Sequence, residues 1–594
     1  MISTVTKRRF WIVNFITASF FLIVAYQLLQ LAVIRNSSLL ELAEKQHRLS
    51  IEIAPLRGRI LDRSGRELAT NLKVPSIYGV PRLLSRDKLE EMTRKVSLIL
   101  DLPEDFVRER LSRKKAFVWI KRRVSVEEAK AIRELKTPAL GIEEEYRRFY
   151  PQGELLSHIL GFTDVDTNGL EGIELVLNRQ MQGRAGRRYT KRDALGREIR
   201  AFEILAIPAV NGHNVTLTID QYVQYLTEKA LNEAYTQWHA QGAFAIVMEV
   251  KTGKILAMAN RPSFDPNQVA NSTVASRRNR ALTDMYEPGS VFKVVAASAV
   301  LNEGKAMPET IFDCENGEYR YGSKVLHDVH PYGDLSFEDV VVKSSNIGIV
   351  KVASLLDPEV FYGYIRAYGF SESTGIDLPG EVAGFIRPPN QWSKTSPYNI
   401  PFGHEILVTA MQMTNAMAVI ANGGKLFRPY VISKVTDGAG VVIKETKPEI
   451  LREEVIRPAV AAQMRRILTR VVEEGTGKRA KIDGVSVGGK TGTAQKVLPN
   501  GKGYSHSNFV SSFVGFAPSE DPELVMAVVL DDPKPRYYGG TVAGPVFKEV
   551  IEASLYYLGF VPREKKTIET KTSLREIPEN PPTFLPAEAV GASI

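Results

Sequence analysis

Cysteine is all but missing from this chain. Cys314 stands alone among 594 residues, which rules out an intrachain disulfide and any Cys-based metal site. In an oxidising compartment such a chain must stand on its packed core, and at this length two or more folded units are expected. Zinc-finger spacings, RNP-like aromatic runs and blocks of basic residues are also absent. The formal net charge of +9 therefore makes no case for nucleic acid. It suits acidic surroundings such as membrane lipid or an anionic polymer. A content of 44% hydrophobic and 24% charged residues is ordinary for globular protein. No cofactor and no metal are expected.

Charge is missing altogether from Phe10 to Ile34. At about 1.5 Å per residue this run is long enough to cross a hydrocarbon core of about 30 Å with some tilt. Lys7, Arg8 and Arg9 precede it, so residues 1–9 are expected in the cytoplasm and the rest of the chain outside. A cleaved signal peptide would have a shorter apolar region and a small-x-small site. The run leaves instead through Leu31, Ala32, Val33, Ile34 and Arg35, so an uncleaved single-pass anchor over residues 10–34 is expected. Asn14, Thr17, Gln27 and Gln30 are polar positions available to a second membrane helix.

The rest of the chain is organised around the stretch Tyr286-Glu287-Pro288-Gly289-Ser290-Val291-Phe292-Lys293. Turn residues lead into an apolar run, which places Ser290 at the first turn of a helix and Lys293 on the same face. A hydroxyl becomes a nucleophile when a neutral amine takes its proton, and the free N–H groups of a helix start suit a developing oxyanion. Alone, such a pair is most often a cap and a solvated lysine. Two later stretches change that. Lys343-Ser344-Ser345-Asn346 supplies a hydroxyl and an amide. Gly489-Lys490-Thr491-Gly492-Thr493-Ala494 supplies a cation and hydroxyls on a predicted strand. Ser-x-x-Lys, Ser-x-Asn and Lys-Thr-Gly in this order form the signature of penicillin-binding proteins and class A β-lactamases.

The remaining pattern divides the chain. Residues 37–48 read as a helix leaving the anchor. Pro55 to Ala69 reads as strand, turn at Ser64-Gly65 and strand, its Arg and Asp residues suited to ion pairs between packed elements. Residues 83–136 read as mainly helical with a break at Pro103, and 190–203 as a solvated hairpin. His158, beside Ile159 and Leu160, reads as a structural histidine. Asn211-Gly212-His213-Asn214 marks a boundary, with a strand over 215–219 and a helix capped by Asp220 after it. A hairpin over 243–259 opens the second unit. Helices are predicted over 337–356, 406–421 and 459–474, strands over 490–495, 509–517 and 524–530, and a closing helix over 546–558. Strands at both ends of a helical block imply an α+β fold with an antiparallel sheet. The charged, Pro-rich stretch over 561–594 is expected to be a disordered tail.

With its motifs in place, nearly the whole chain resembles the class B penicillin-binding proteins. Arg57-Gly58-Arg59-Ile60 with Asp62-Arg63-Ser64-Gly65 resembles a first pedestal motif of that family, and Gly169-Leu170-Glu171-Gly172-Ile173-Glu174 a later one. Glu287, where elongation enzymes more often carry Pro, is similar to the division-specific FtsI type. The resemblance implies a penicillin-binding, serine β-lactamase-like transpeptidase domain over 213–560 on an elongated mixed α/β pedestal over 35–212. It implies no glycosyltransferase unit and no C-terminal PASTA repeats.

Its implied activity is a membrane-anchored D,D-transpeptidase that cross-links peptidoglycan stem peptides derived from lipid II in septal wall synthesis, and that β-lactams acylate. By the same resemblance Ser290 is the nucleophile, Lys293 the base and Ser344 a proton relay, while Asn346 orients Lys293 and the substrate. Lys490 disfavours a second cation; with Thr491, Gly492 and Thr493 on its strand it receives the donor carboxylate. An FtsW-type glycosyltransferase and other division proteins are the implied partners, and the bacterial inner membrane is the implied location. Alternatives are an elongation enzyme, a β-lactam hydrolase on the same fold, and a ligand-binding sensor or scaffold without turnover.

Overall fold

The computed structural model describes residues 4–37, 48–115, 117–192, 198–199, 205–321, 324–498 and 503–559. The expected tail over 561–594 lies outside the described residues, as do most of the expected helix over 37–48 and much of the expected hairpin over 190–203. Contacts divide the chain into two units, Met1–Leu56 with Gly183–Gly212, and Arg57–Gln182 with the chain from His213 onward.

In the first unit a helix over Thr4–Leu29 runs on through a π-turn, Gln30–Ile34. It begins ahead of the expected start at Phe10 and takes in Lys7, Arg8 and Arg9. The span Thr4–Val33 is long and apolar enough to cross a membrane. Two of its polar side chains bond within the helix: Thr17 Oγ1 donates to the Val13 carbonyl at 2.9 Å and Gln30 Nε2 to the Tyr26 hydroxyl at 3.3 Å. In the same unit, Arg48–Ile53 pairs antiparallel with Gly186–Arg192, which also pairs with Leu205–Ile207.

Among the described residues the second unit holds two large sheets, of seven and five strands, beside smaller two-stranded pairings. One runs through Glu67–Gly79, Ile60–Leu61, Asn214–Leu217 and Ile432–Thr436, so the strand after the predicted boundary at Gly212 joins early and late chain in a single sheet. Leu140–Phe149 and Val118–Lys121 flank Glu67–Gly79. Val118–Lys121 is a strand inside the stretch 83–136 that the pattern predicts as mainly helical. Its buried Val118 and Ile120 alternate with half-buried Trp119 and Lys121, a short period-two signal inside a charged helical stretch.

The two pedestal motifs meet. Glu174 has no exposed side-chain surface and takes Arg57 Nε on one carboxylate oxygen and Arg148 Nε on the other, each at 2.6 Å. Arg57 also donates to the Glu174 and Thr167 carbonyls, each at 2.8 Å. Removing one member of such a buried set leaves a charge unpaired, a loss of about 3–5 kcal/mol. Gly58 is glycine because a Cβ there would fall onto the His213 carbonyl. His158 is a structural histidine: Nε2 sits 2.8 Å from the Ser276 carbonyl, and burial pushes its pKa down to about 4.

The second sheet has five antiparallel strands in the order Ile255–Arg261, Gly242–Glu249, Leu524–Asp531, Tyr504–Ala517, Gly488–Val497. Both faces are covered. Ala243, Ala245 and Val247 pack with Val223, Leu231 and Phe547 of the helices Gln221–Gln237 and Gly544–Tyr557. Their neighbours Phe244, Ile246 and Met248 join the core that holds Met413 and Met417 of Ala410–Ala421. Alternate residues reach opposite faces, so both sets are apolar.

Two helices depart from expectation. Ile406–Leu407 is a strand paired with Phe385–Ile386, and the helix begins at Ala410 under a capping box of Thr409 and Gln412. The predicted helix over 337–356 breaks into Phe337–Lys343 and Asn346–Ala353, because Ser344 adopts a left-handed conformation at φ +64° and Ser345 caps the second helix.

Candidate active site

The turn that carries Ser290 is held from one side by the 400–408 segment. Tyr286 and Val408 exchange backbone hydrogen bonds, and Gly289 N–H donates to the Gly403 carbonyl at 3.2 Å. Gly289–Phe292 forms a 3-10 turn rather than the first turn of an α-helix, and Lys293–Asn302 continues as a helix buried almost throughout. Ser290 is half-buried on that turn, whereas Lys293 is wholly buried at its end.

On the other side lies the edge strand Gly488–Val497. A Cβ at Gly492 would stand 2.7 Å from Val291 Cγ2 and 2.8 Å from the Pro288 carbonyl, and would also strike Ser512 Oγ. Only glycine lets the strand approach this closely. The contact sets the strand that carries Lys490, Thr491 and Thr493 against the turn that carries Ser290.

The break in the middle helices closes the site. Lys293 Nζ donates to the Ser344 carbonyl at 2.6 Å, to the Ser344 hydroxyl at 3.3 Å and to Asn346 Oδ1 at 2.8 Å. Lys490 Nζ donates to the same Ser344 hydroxyl at 2.8 Å. The left-handed turn at Ser344 presents both its carbonyl and its hydroxyl to the amines, which an unbroken helix does not allow. Burial and then the charge of Lys490 hold the Lys293 amine well below the usual lysine range, with Asp328 and Cys314 opposing. Burial alone brings Lys490 down to about 7. Two ammonium groups sharing one buried hydroxyl are mutually unfavourable, so near neutrality the pair holds fewer than two protons.

Ser290, Lys293, Ser344, Asn346, Lys490, Thr491, Gly492 and Thr493 are thus brought to one place. One expected contact is missing: among the described residues no hydrogen bond joins the Ser290 hydroxyl to Lys293, whose donors go to Ser344 and Asn346. The two threonines are anchored from below. Thr491 Oγ1 lies 2.8 Å from Thr476 Oγ1, and Thr493 Oγ1 accepts from Gly539 N–H at 3.1 Å.

Sequence reasoning missed Thr476, Gly539 and the group around Glu287. That carboxylate accepts from the Glu405 N–H at 2.9 Å and the Tyr504 hydroxyl at 3.2 Å, and faces His404 Nδ1 at 2.9 Å. Nothing in the spacing of these residues signals their meeting.

Residues 243–552 match the family model described as penicillin binding protein transpeptidase domain, and residues 52–217 the model described as penicillin-binding protein dimerisation domain. The chain is 34% identical to stage V sporulation protein D of Bacillus subtilis over 97% of its own length and 90% of that protein. It is 31% identical to peptidoglycan D,D-transpeptidase FtsI of Escherichia coli over 86% of the chain and 85% of that protein. Among solved structures, a peptidoglycan synthetase from Bifidobacterium adolescentis superposes with a TM-score of 0.69 at 28% identity, covering 88% of this chain and 98% of the other. Penicillin binding protein 3 from Mycobacterium tuberculosis, complexed with ampicillin, gives 0.67 at 27% identity, covering 86% and 97%.

Proposed function

This chain belongs to the penicillin-binding protein transpeptidase family as a class B member, and from that premise we propose how its residues perform serine-type D-Ala-D-Ala transpeptidation on peptidoglycan stem peptides. Ser290 Oγ attacks the penultimate D-alanine carbonyl while Lys293, neutral through burial and Lys490, takes its proton. The N–H groups of Ser290 and Thr493 stabilise the oxyanion. The C–N bond breaks, and the terminal D-alanine leaves with a proton passed through Ser344. A neighbouring stem's amine then attacks the Ser290 ester, loses a proton to the same relay and restores the Ser290 hydroxyl. Lys490, Thr491 and Thr493 receive the donor carboxylate, and Asn346 orients Lys293.

The observation that carries this reading is the single Ser344 hydroxyl reached by Lys490 at 2.8 Å and Lys293 at 3.3 Å. With a lone pair engaged by the Lys490 amine, that hydroxyl can turn its proton to the leaving nitrogen and take another from Lys293. Mass spectrometry of the intact protein after penicillin tests the assignment. An adduct mapped to Ser290 and lost in Ser290→Ala is expected, and an adduct elsewhere refutes it. Adduct lifetime separates transferase from hydrolase, hours for the first and seconds for the second.

The finer reading is a single-pass anchor over residues 10–34 in the inner membrane, carried by the helix Thr4–Val33, with the N-terminus cytoplasmic by virtue of Lys7, Arg8 and Arg9, and a septal role beside an FtsW-type polymerase. The resemblance at Glu287 supports the septal assignment. A sporulation role is the second reading, favoured by the relative of that name whose match spans 97% of the chain. A deletion strain that divides normally and fails only in sporulation would decide for the second.

A further inference from the structure

Between the nucleophile helix and the Ser-x-Asn break, the chain makes an excursion closed at its base by the pairing of Ile311–Asp313 with Asp334–Ser336. It carries a small hairpin, Glu318–Tyr321 with Lys324–His327. Two contacts fasten that hairpin to the two halves of the site. Tyr321 stacks on Tyr398 at 4.2 Å between ring centroids, and the 3-10 turn Ile400–Phe402 just beyond Tyr398 leads to Gly403, which holds Gly289.

At the hairpin's other end, Asp328 reaches the start of the helix Asn346–Ala353. Its carboxylate accepts from the Ser345 hydroxyl at 2.5 Å, from the Ile347 N–H at 3.1 Å and from the Asn346 N–H. The Asp328 N–H is itself held by the Gly317 carbonyl at 3.1 Å. Next to it, the His327 carbonyl accepts from Asn346 Nδ2 at 3.0 Å. A carbonyl accepts only from the amide nitrogen, so this contact decides which end of the Asn346 carboxamide faces Lys293.

We propose that Asp328 is a positioning residue for acylation: with the His327 carbonyl it pins Asn346 by its backbone and side chain, so that Oδ1 is presented to the Lys293 amine. The inference rests on Ser290 and Lys293 being nucleophile and base. It makes the hairpin part of the apparatus that tunes that base. The charges that bear on Lys293 come from Lys490 on the edge strand, Asp328 on the excursion and the Cys314 thiol at its base. Asp328 in turn faces Tyr332 as well as Cys314. A negative charge at Asp328 favours the ammonium form, opposing burial and Lys490.

Acylation of the wild type by a labelled penicillin is measured first, and its absence would refute the functional reading, not this one. All rates are counted per titratable molecule, so a loss of folded protein does not enter. Asp328→Asn is expected to slow acylation roughly tenfold through one lost charge-assisted bond and to move the acid limb of the pH–rate profile to lower pH. Asp328→Glu keeps the charge and is expected to slow acylation with the acid limb unmoved. In an Asn346→Ala background Asp328→Asn is expected to slow acylation no further on the plateau above the acid limb, because its positioning acts through Asn346. A wild-type rate and acid limb in Asp328→Asn, an acid limb displaced equally by both substitutions, or additive losses in the double variant would each overturn the proposal.

Discussion

The amine of Lys490 lies 2.8 Å from the hydroxyl of Ser344, a residue 146 positions earlier in the chain. Lys293 reaches the same hydroxyl at 3.3 Å, so one oxygen organises two buried amines. Ser344→Ala takes that acceptor from both. Acylation by penicillin is expected to fall about a hundredfold or more, the usual cost of a lost proton-transfer group, while substrate affinity changes little. Stopped-flow separation of binding from acylation checks this.

Lys490 also leaves a mark on stability. Its pKa is about 7 in the folded chain through burial, against about 10.4 for an unfolded lysine. Between those values the unfolded state binds the extra proton, so stability rises with pH, by at most about 1.4 kcal/mol per pH unit. Below the folded pKa both states are protonated and the contribution is flat. Lys490→Met is expected to remove Lys490's share of the slope between pH 7 and 10 in denaturant titrations. The same variant is expected to lose acylation about a hundredfold.

Gly492→Ala tests the approach of strand to turn. The added Cβ meets Val291 Cγ2 at 2.7 Å and the Pro288 carbonyl at 2.8 Å, so the strand must retreat from Ser290. Overpacking of this kind costs about 1–3 kcal/mol in stability. Displacing the reacting groups by about 1 Å is expected to cost acylation about a hundredfold. The activity loss should persist at temperatures where circular dichroism shows the variant fully folded.

Glu174→Gln is expected to behave in the opposite way. Two buried arginines lose the charge that balances them, and unfolding free energy is expected to drop by about 3–5 kcal/mol in urea titrations. The acylation rate per folded molecule should stay at the wild-type value, because the pair stands in the pedestal and not beside Ser290.

These expectations draw unequally on pattern and on packing. The hairpin over 243–259, the Asp220 cap and the closing helix are legible in the sequence because turn residues and apolar period act within a few positions. The ion pairing of the pedestal motif is legible as chemistry, but Glu174 as its shared anion is not. The break at Ser344 is not placed by local pattern alone, because what stabilises it is a carboxylate from Asp328 on another segment.

The order and identity of the reactive groups are properties of the chain as written. Ser290 with Lys293, Ser344 with Asn346, and Lys490 ahead of Thr491 to Thr493 declare the chemistry, since each short motif needs only its own neighbours to be recognised. Tertiary structure alone decided that Ser344 turns left-handed, that its oxygen serves two amines, that His404, Glu405 and Tyr504 gather on Glu287, and that Asp328 reaches the start of the Asn346 helix. Those contacts join segments far apart in the chain, and only the packing of buried side chains determines which of them meet.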